Sequence, residues 1–269
     1  MGSTDYYFTI SALNSGETLK SLITLLALCT ALVTTAEAQS QPAAADLAPG
    51  YLLVLGRSTD RPKIIAYSSQ LPPIYSATGG RYIGQGRPGA GAVCVYGFCE
   101  GRSAVIAHWA DYKKIDAFWW GEAYRKVGPM RDGAGVFTVV GVRGVADVQP
   151  FSAGALLIST MNSNSTGSNL APAQTWLTTA IASAGARLLT PFSNGAITSL
   201  EGDALYNTVA LLHFESKEKR DAFTASESTQ TFIKNMPPLS LIAIIGVDSP
   251  PAQPLATPAK RAPALPAAK

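Results

Sequence analysis

The chain has 269 residues, 47% of them hydrophobic and 14% charged, with a formal net charge of +3. That apolar content supports a packed core, and so weak a positive charge excludes the basic stripe of a nucleic-acid-binding surface.

Taken in order, the chain opens with a targeting pattern. Lys20 precedes an apolar run from Leu22 to Val33, and Ala36-Glu37-Ala38 supplies the small-x-small pattern of a signal-peptidase site. The run is shorter than the about 20 apolar residues that cross a bilayer. Residues 1–38 are therefore expected to be a cleaved signal, giving a secreted or periplasmic protein without a membrane span. Its removal takes away one lysine and three acids, so the formal charge moves from +3 to +5. Residues 39–49, rich in Ala, Pro and Gln, read as a flexible leader.

Tyr51 to Leu55 is a short apolar run suited to a buried strand. Asp60 followed by Pro62 marks a helix start, with Ile64, Ile65 and Tyr67 expected to face inward. Pro72 and Pro73 should kink or split that helix, and Gly79-Gly80 ends it before a second strand from Arg81 to Ile83. Gly84 to Gly89, GQGRPG, satisfies the dinucleotide pattern G-x-G-x-x-G, but that chemistry needs a helix N-terminus and Gly91 to Phe98 reads as strand. A plain loop is the expectation, with no cofactor. Cys94 and Cys99 stand five apart; on one continuous strand they would be about 16 Å apart, which favours two separate thiols, whereas a tight hairpin between them would allow a local disulfide, the alternative reading.

Next comes SAVIAHWADYKKIDAF, Ser103 to Phe118, which is echoed by TVALLHFESKEKRDAF, Thr208 to Phe223, at a constant offset of 105 positions. His108 falls on His213, Trp109 on Phe214, Asp116 on Asp221, Phe118 on Phe223 and Gly141 on Gly246. In both copies an apolar strand runs into a helix capped by Asp111 or Ser216. Ile115, Phe118 and Trp119 in one, and Ala222 and Phe223 in the other, form the apolar stripe. Val136 to Val142 and Leu241 to Val247 close the copies as β-branched strands. An offset of this length implies duplicated domains, here residues 50–148 and 151–248, followed by a disordered Pro/Ala-rich tail, 249–269.

Each copy has the order strand, helix, strand, strand, helix, strand, the split βαβ pattern of the ferredoxin-like fold. Because both faces of Ala104 to Ala107 are apolar, the face without helices needs a cover. The fold class expected is α+β, two tandem ferredoxin-like domains packed sheet to sheet as a single-chain dimeric α+β barrel. Such an intramolecular pseudo-dimer needs no second chain.

Asp60, Tyr67 and Pro73, Gly79-Gly80-Arg81-Tyr82, Glu100-Gly101, Trp109, and then Trp120, Tyr124 and Arg131 resemble the domain of unknown function 1330 family over about 95 residues, 50 to 144. The second copy departs from that pattern at Ala184-Gly185, at Thr229 in the place of Tyr124 and in the polar stretch Asn162 to Asn169. The resemblance implies the dimeric α+β barrel, whose relatives by fold include cofactor-free monooxygenases, lactone isomerases and haem-binding members. It implies no particular activity.

His108 alternates with Trp109 on a strand, so His108 and His213 are expected to point into the space between the sheets. They read either as a proton-transfer or ligand-binding pair, the candidate catalytic residues, or as two buried neutral imidazoles. Arg81, Tyr82, Tyr124 and Arg131 are candidates to bind a ligand at the cavity mouth or else to solvate it. Two histidines without suitably spaced Asp, Glu or Cys make half a metal shell, so no metal is expected. A small apolar or aromatic ligand between the sheets is the first functional reading. A cofactor-independent monooxygenase or isomerase using a barrel histidine as general base is the second, and a purely structural envelope protein the third.

Overall fold

The structure is a computed structural model and describes residues 48–163, 170–193, 195–237 and 240–250. The expected signal, most of the leader, most of the polar stretch and most of the tail lie outside the described residues. In the first half, β1 (Gly50–Ser58) leads through α1 (Arg61–Ser68) and α2 (Leu71–Ala77) to β2 (Arg81–Pro88) and β3 (Gly91–Gly97). Then come β4 (Ser103–Trp109), α3 (Lys113–Trp119), α4 (Glu122–Val127), a 3-10 turn (Gly128–Arg131) and β5 (Gly135–Arg143). The second half runs β6 (Ala155–Met161), α5 (Ala171–Ala184), β7 (Arg187–Leu188), β8 (Ile197–Glu201), β9 (Thr208–Phe214), α6 (Lys217–Ala225), α7 (Glu227–Asn235) and β10 (Leu241–Asp248).

Local chemistry sets the helix boundaries. The Asp60 carboxylate accepts from the Lys63 amide at 3.0 Å, and Pro62 occupies the first turn, where it removes no needed donor. The two prolines at 72 and 73 sit in the first turn of α2, so the expected helix is split and not merely bent. Ser216 caps α6 by accepting from the Lys219 amide at 3.2 Å, and Asp111 accepts from the Lys113 amide at 2.9 Å. Among the expected inward residues Ile64 and Tyr67 are half-buried, but Ile65 is 55% exposed. In α6 it is Arg220 that turns inward, bonded to Asp221 and Asp248, while Ala222 faces out.

The protein is a mixed α+β fold with a curled sheet of ten described strands in the order β7-β9-β6-β10-β3-β2-β4-β1-β5-β8. Within it β2-β4-β1-β5 and β7-β9-β6-β10 each follow the ferredoxin-like order. The remaining two strands cross over. β3, from the first half, pairs antiparallel with β10 of the second, and β8, from the second half, pairs antiparallel with β5 of the first. A single apolar cluster joins residues of both halves, including Tyr51, Leu53, Ile106 and Val140 with Leu156, Ile158, Leu211 and Ile245. Two further clusters lie under the helices, one in each half.

This crossing overturns two readings of the sequence. Gly84 to Pro88 is not a loop but the end of β2, with Gly89 as the turn that follows, and Gly84 and Gly86 serve close packing. A Cβ on Gly84 would lie 2.7 Å from the side chains of Ile106 and Leu156, and one on Gly86 would lie 2.1 Å from the Gly91 carbonyl. Cys94 and Cys99 are not separate thiols but a disulfide with Cα atoms 5.3 Å apart. Strand β3 ends at Gly97, whose φ of 79° turns the chain back, so the extended spacing assumed for the pair never applies.

Gly79 and Gly80 have distinct duties. Gly79 leaves α2 with a φ of 78°, whereas a Cβ on Gly80 would lie 2.4 Å from the Trp109 indole, a ring fully buried under the helices. In the second half the smaller Phe214 stands where Trp109 does, and Ala186 follows the left-handed Gly185. Gly80→Ala is therefore expected to cost about 1–3 kcal/mol in urea denaturation through overpacking. Trp109→Phe in the same chain should recover part of that loss. A neutral Gly80→Ala, or purely additive effects, would contradict this packing.

Candidate functional site

Alternation along the first-half strands separates two environments. Tyr51, Leu53 and Leu55 face the other half, while Leu52 and Val54 face the helices. On that helix-covered face the structure holds a cavity of about 580 Å³. Its floor is Leu52, Val54, Val105 and Val139, and α1, α2, α3 and α4 close over it with Tyr67, Tyr75, Phe118, Trp119 and Tyr124. Prolines 72 and 73 split the covering helix, so α1 and α2 run as separate segments over the cavity.

The rings form a continuous wall. Tyr75 stacks on Phe118 with centroids 4.4 Å apart and lies 4.6 Å from Tyr82, and Tyr124 is 4.8 Å from Phe118 and 4.6 Å from Trp119. At one end Arg131 leaves the 3-10 turn and lies against Tyr67 and Phe137, at 5.5 and 5.3 Å from their centroids. Its guanidinium takes both oxygens of Glu201, with Nη1 at 2.7 Å from Oε1 and a second bond from Nη2 to Oε2. Nη2 also reaches the Tyr124 hydroxyl at 3.4 Å, and that hydroxyl lies 3.0 Å from the Tyr67 hydroxyl.

Burial pushes the Tyr67, Tyr75 and Tyr82 phenols well above their ordinary range, so all three stay protonated. Burial would also lower the Arg131 pKa, but the Glu201 carboxylate and the two phenols more than offset it and hold the guanidinium charged. Whichever of Tyr67 and Tyr124 donates in their shared bond, one phenolic proton of the pair has no acceptor within it. The arrangement can therefore orient an oxygen acceptor on a ligand whose body lies against rings and aliphatic side chains.

Residues 49–145, which contain this whole cavity, match the family model of the domain of unknown function DUF1330. That segment is a DUF1330 domain. No curated protein sequence matches the chain. Solved structures with a similar course include an anthrone oxidase-like protein, 9% identical with a TM-score of 0.41 over 77% of this chain and 93% of that one. Another is a chlorite dismutase from Candidatus Nitrospira defluvii, 9% identical with a TM-score of 0.41 over 75% and 91%. A third, a protein of unknown function from Rhodopseudomonas palustris, is 16% identical with a TM-score of 0.29 over 39% and 85%. No chemistry is carried over from likenesses this distant.

The candidate residues divide between the two faces of the DUF1330 domain. Tyr82, Tyr124 and Arg131 line the cavity. Arg81 and His108 stand opposite each other on β2 and β4, next to Tyr51 on β1, on the face turned to the second half. His108 is 5% exposed, its ring centroid is 5.2 Å from that of Tyr51, and neither His108 Nε2 nor Tyr51 Oη has a partner among the described residues. On β9 His213 stands opposite Arg187 as His108 stands opposite Arg81. His213 Nδ1 accepts from the Phe151 amide at 2.9 Å, which puts its proton on Nε2, 3.4 Å from the Ser249 hydroxyl. Neither histidine lines the cavity, and the faces expected to enclose a ligand between the sheets meet through packed side chains.

Sequence reasoning missed Tyr75, Trp119 and above all Glu201, which reaches the DUF1330 domain only because β8 crosses from the second half. In that second half Thr229 takes the place of Tyr124, and the Trp176 indole donates to its hydroxyl at 2.9 Å while stacking on Phe232 at 4.5 Å. Among the described residues no group of three or more His, Cys, Asp or Glu side chains could hold a metal ion.

Burial, reinforced by Arg81 and for His213 by Arg187, lowers both histidines to a pKa of about 4. A histidine whose folded pKa lies below its unfolded value of about 6.5 contributes its full stability above that pH and loses it as pH falls toward 4. The unfolding free energy from urea titrations is expected to be flat above about pH 7 and to fall through the pH 6.5–4 window, by on the order of 3 kcal/mol per histidine at most. The loss should shrink in a His108→Gln, His213→Gln double variant. Equal pH slopes in the two proteins would contradict the assignment.

Proposed function

We propose that the protein is a small-ligand binder whose site is the ring-lined cavity of the DUF1330 domain, and that it takes an apolar or aromatic molecule there. The observation that carries this reading is the cavity itself. It lies within the usual size range of ligand pockets, is walled largely by aromatic and aliphatic side chains, and adds the Tyr67, Tyr124 and Arg131 polar groups at one place and the exposed Arg61 and Arg87 at another. Val54 and Val105 are only half-buried because they face this space, although they sit in the middle of sheet strands.

In the same reading the two halves are tandem copies of one ferredoxin-like unit, forming a single-chain pseudo-dimeric barrel whose ligand site is the cavity of the first copy. Support comes from the matching strand orders and the reciprocal crossing of β3 and β8. The chain works in an oxidising compartment, secreted or periplasmic. Support comes from the signal-like residues 1–38 and from the Cys94–Cys99 bridge, a kind of bond that persists in such compartments. A histidine-based oxygenase or isomerase draws less support, because both imidazoles lie on the face away from the cavity.

A thermal-shift panel of aromatic and aliphatic small molecules is expected to raise the melting temperature of the full chain, since a ligand that binds only the folded state stabilises it. Val54→Phe, which fills the cavity floor, should abolish every such shift, whereas His108→Gln should leave them intact. Ligand shifts that survive Val54→Phe and vanish with His108→Gln would overturn the assignment in favour of the inter-sheet face. No shift from any compound would favour a purely structural protein.

A further inference from the structure

The charged side chains that line the cavity are of one sign. Arg61, Arg87 and Arg131 all contribute to its wall, and no Asp or Glu does. Arg131 is neutralised from behind by Glu201. Arg61, in the first turn of α1, and Arg87, near the end of β2, are both exposed, which puts them on the open side of the cavity, and no ion pair holds either one among the described residues. The deep wall adds a further donor, because the Tyr67 and Tyr124 pair keeps one uncommitted phenolic proton. A cavity with an apolar interior, cations at its opening and no carboxylate repels nothing anionic and would leave a cationic ligand without a counter-charge.

We propose that the ligand is an amphipathic organic acid, its aromatic or apolar body seated among the rings and its carboxylate directed to Arg61 and Arg87. This rests on the ligand-binding reading above and specifies its chemical class. A guanidinium offers a planar pair of donors that matches a carboxylate, and a charge-assisted bond of that kind is roughly twice as strong as a neutral one. Arg131, already bidentate to Glu201, is not the anion's partner.

The test compares matched acids and neutral amides on the full chain by calorimetric titration: 2-naphthoate with 2-naphthamide, and decanoate with decanamide. The acids are expected to bind about tenfold or more tightly than their amides at low salt, with a gap that narrows at high ionic strength. An Arg61→Gln, Arg87→Gln variant should bring acid and amide to the same affinity without moving the melting temperature, since both side chains are exposed. Val54→Phe should remove the binding of both, which separates cavity binding from surface attraction to arginines. Acids and amides binding alike to the wild-type chain would overturn the charge inference and leave the cavity reading standing. Acid binding that persists in Val54→Phe would also overturn it, and binding of none of the four compounds would overturn both readings.

Discussion

Burial of one apolar sheet face against another is the constraint from which the rest of the molecule follows. Each half covers one face of its strands with helices and leaves the other as apolar as a core, with Leu53, Leu55 and Ile106 on one side and Leu156, Ile158 and Leu211 on the other. Leaving such side chains in water would forfeit about 1.5–3 kcal/mol apiece. Facing each other, they form one cluster, in which Gly84 leaves room for the Ile106, Leu156 and Val247 side chains where a methyl group would not fit. The strand exchange adds a second tie. β3 pairs with β10 while keeping a short parallel pairing with β2, and β8 extends the first half's sheet at β5, so the edges next to β10 and β5 are covered and not left open to foreign strands.

The same exchange builds the cavity. Glu201 arrives on β8 from the second half and fixes Arg131, which in turn positions Tyr124 and Tyr67 at the cavity's polar end. A guanidinium with only 11% of its side chain exposed needs such a partner, since breaking a largely buried pair leaves an uncompensated charge. Integrity of the site in the first half thus depends on the second half being folded onto it. The second half has no comparable arrangement at Thr229, where Trp176 and Phe232 occupy the space between helix and sheet with a stacked pair.

What could be read from the residues was what short-range chemistry decides. Asp60 with Pro62, Ser216, the paired prolines and the β-branched runs fixed element type and approximate limits, because caps and periodicity act within a few residues. The unequal pair Trp109 and Phe214, and the glycines that precede their partners, were visible as matches though not as packing. The crossing of β3 and β8 was not legible, since nothing in Gly84 to Phe98 or Ala196 to Leu200 distinguishes a strand that stays from one that leaves. Glu201 depended on that crossing and was missed, whereas the disulfide, held only as the alternative, depended on the turn that Gly97 makes at the end of β3. The cavity face was misjudged for a related reason: alternation separates two faces but does not say which of two apolar faces will be packed solid.

Amide hydrogen exchange along β3 and β8 tests most directly whether the two halves are locked together by exchanged strands. The ladder-bonded amides of β3, which has β10 on one side and β2 on the other, are expected to exchange only with the global opening that also releases β1 and β6, and those of β8, an edge strand on β5, to be protected well above unfolded rates. Exchange of both strands at near-unfolded rates, with β1 and β6 still fully protected, would contradict the interlocked arrangement on which the Arg131–Glu201 clamp and the cavity depend.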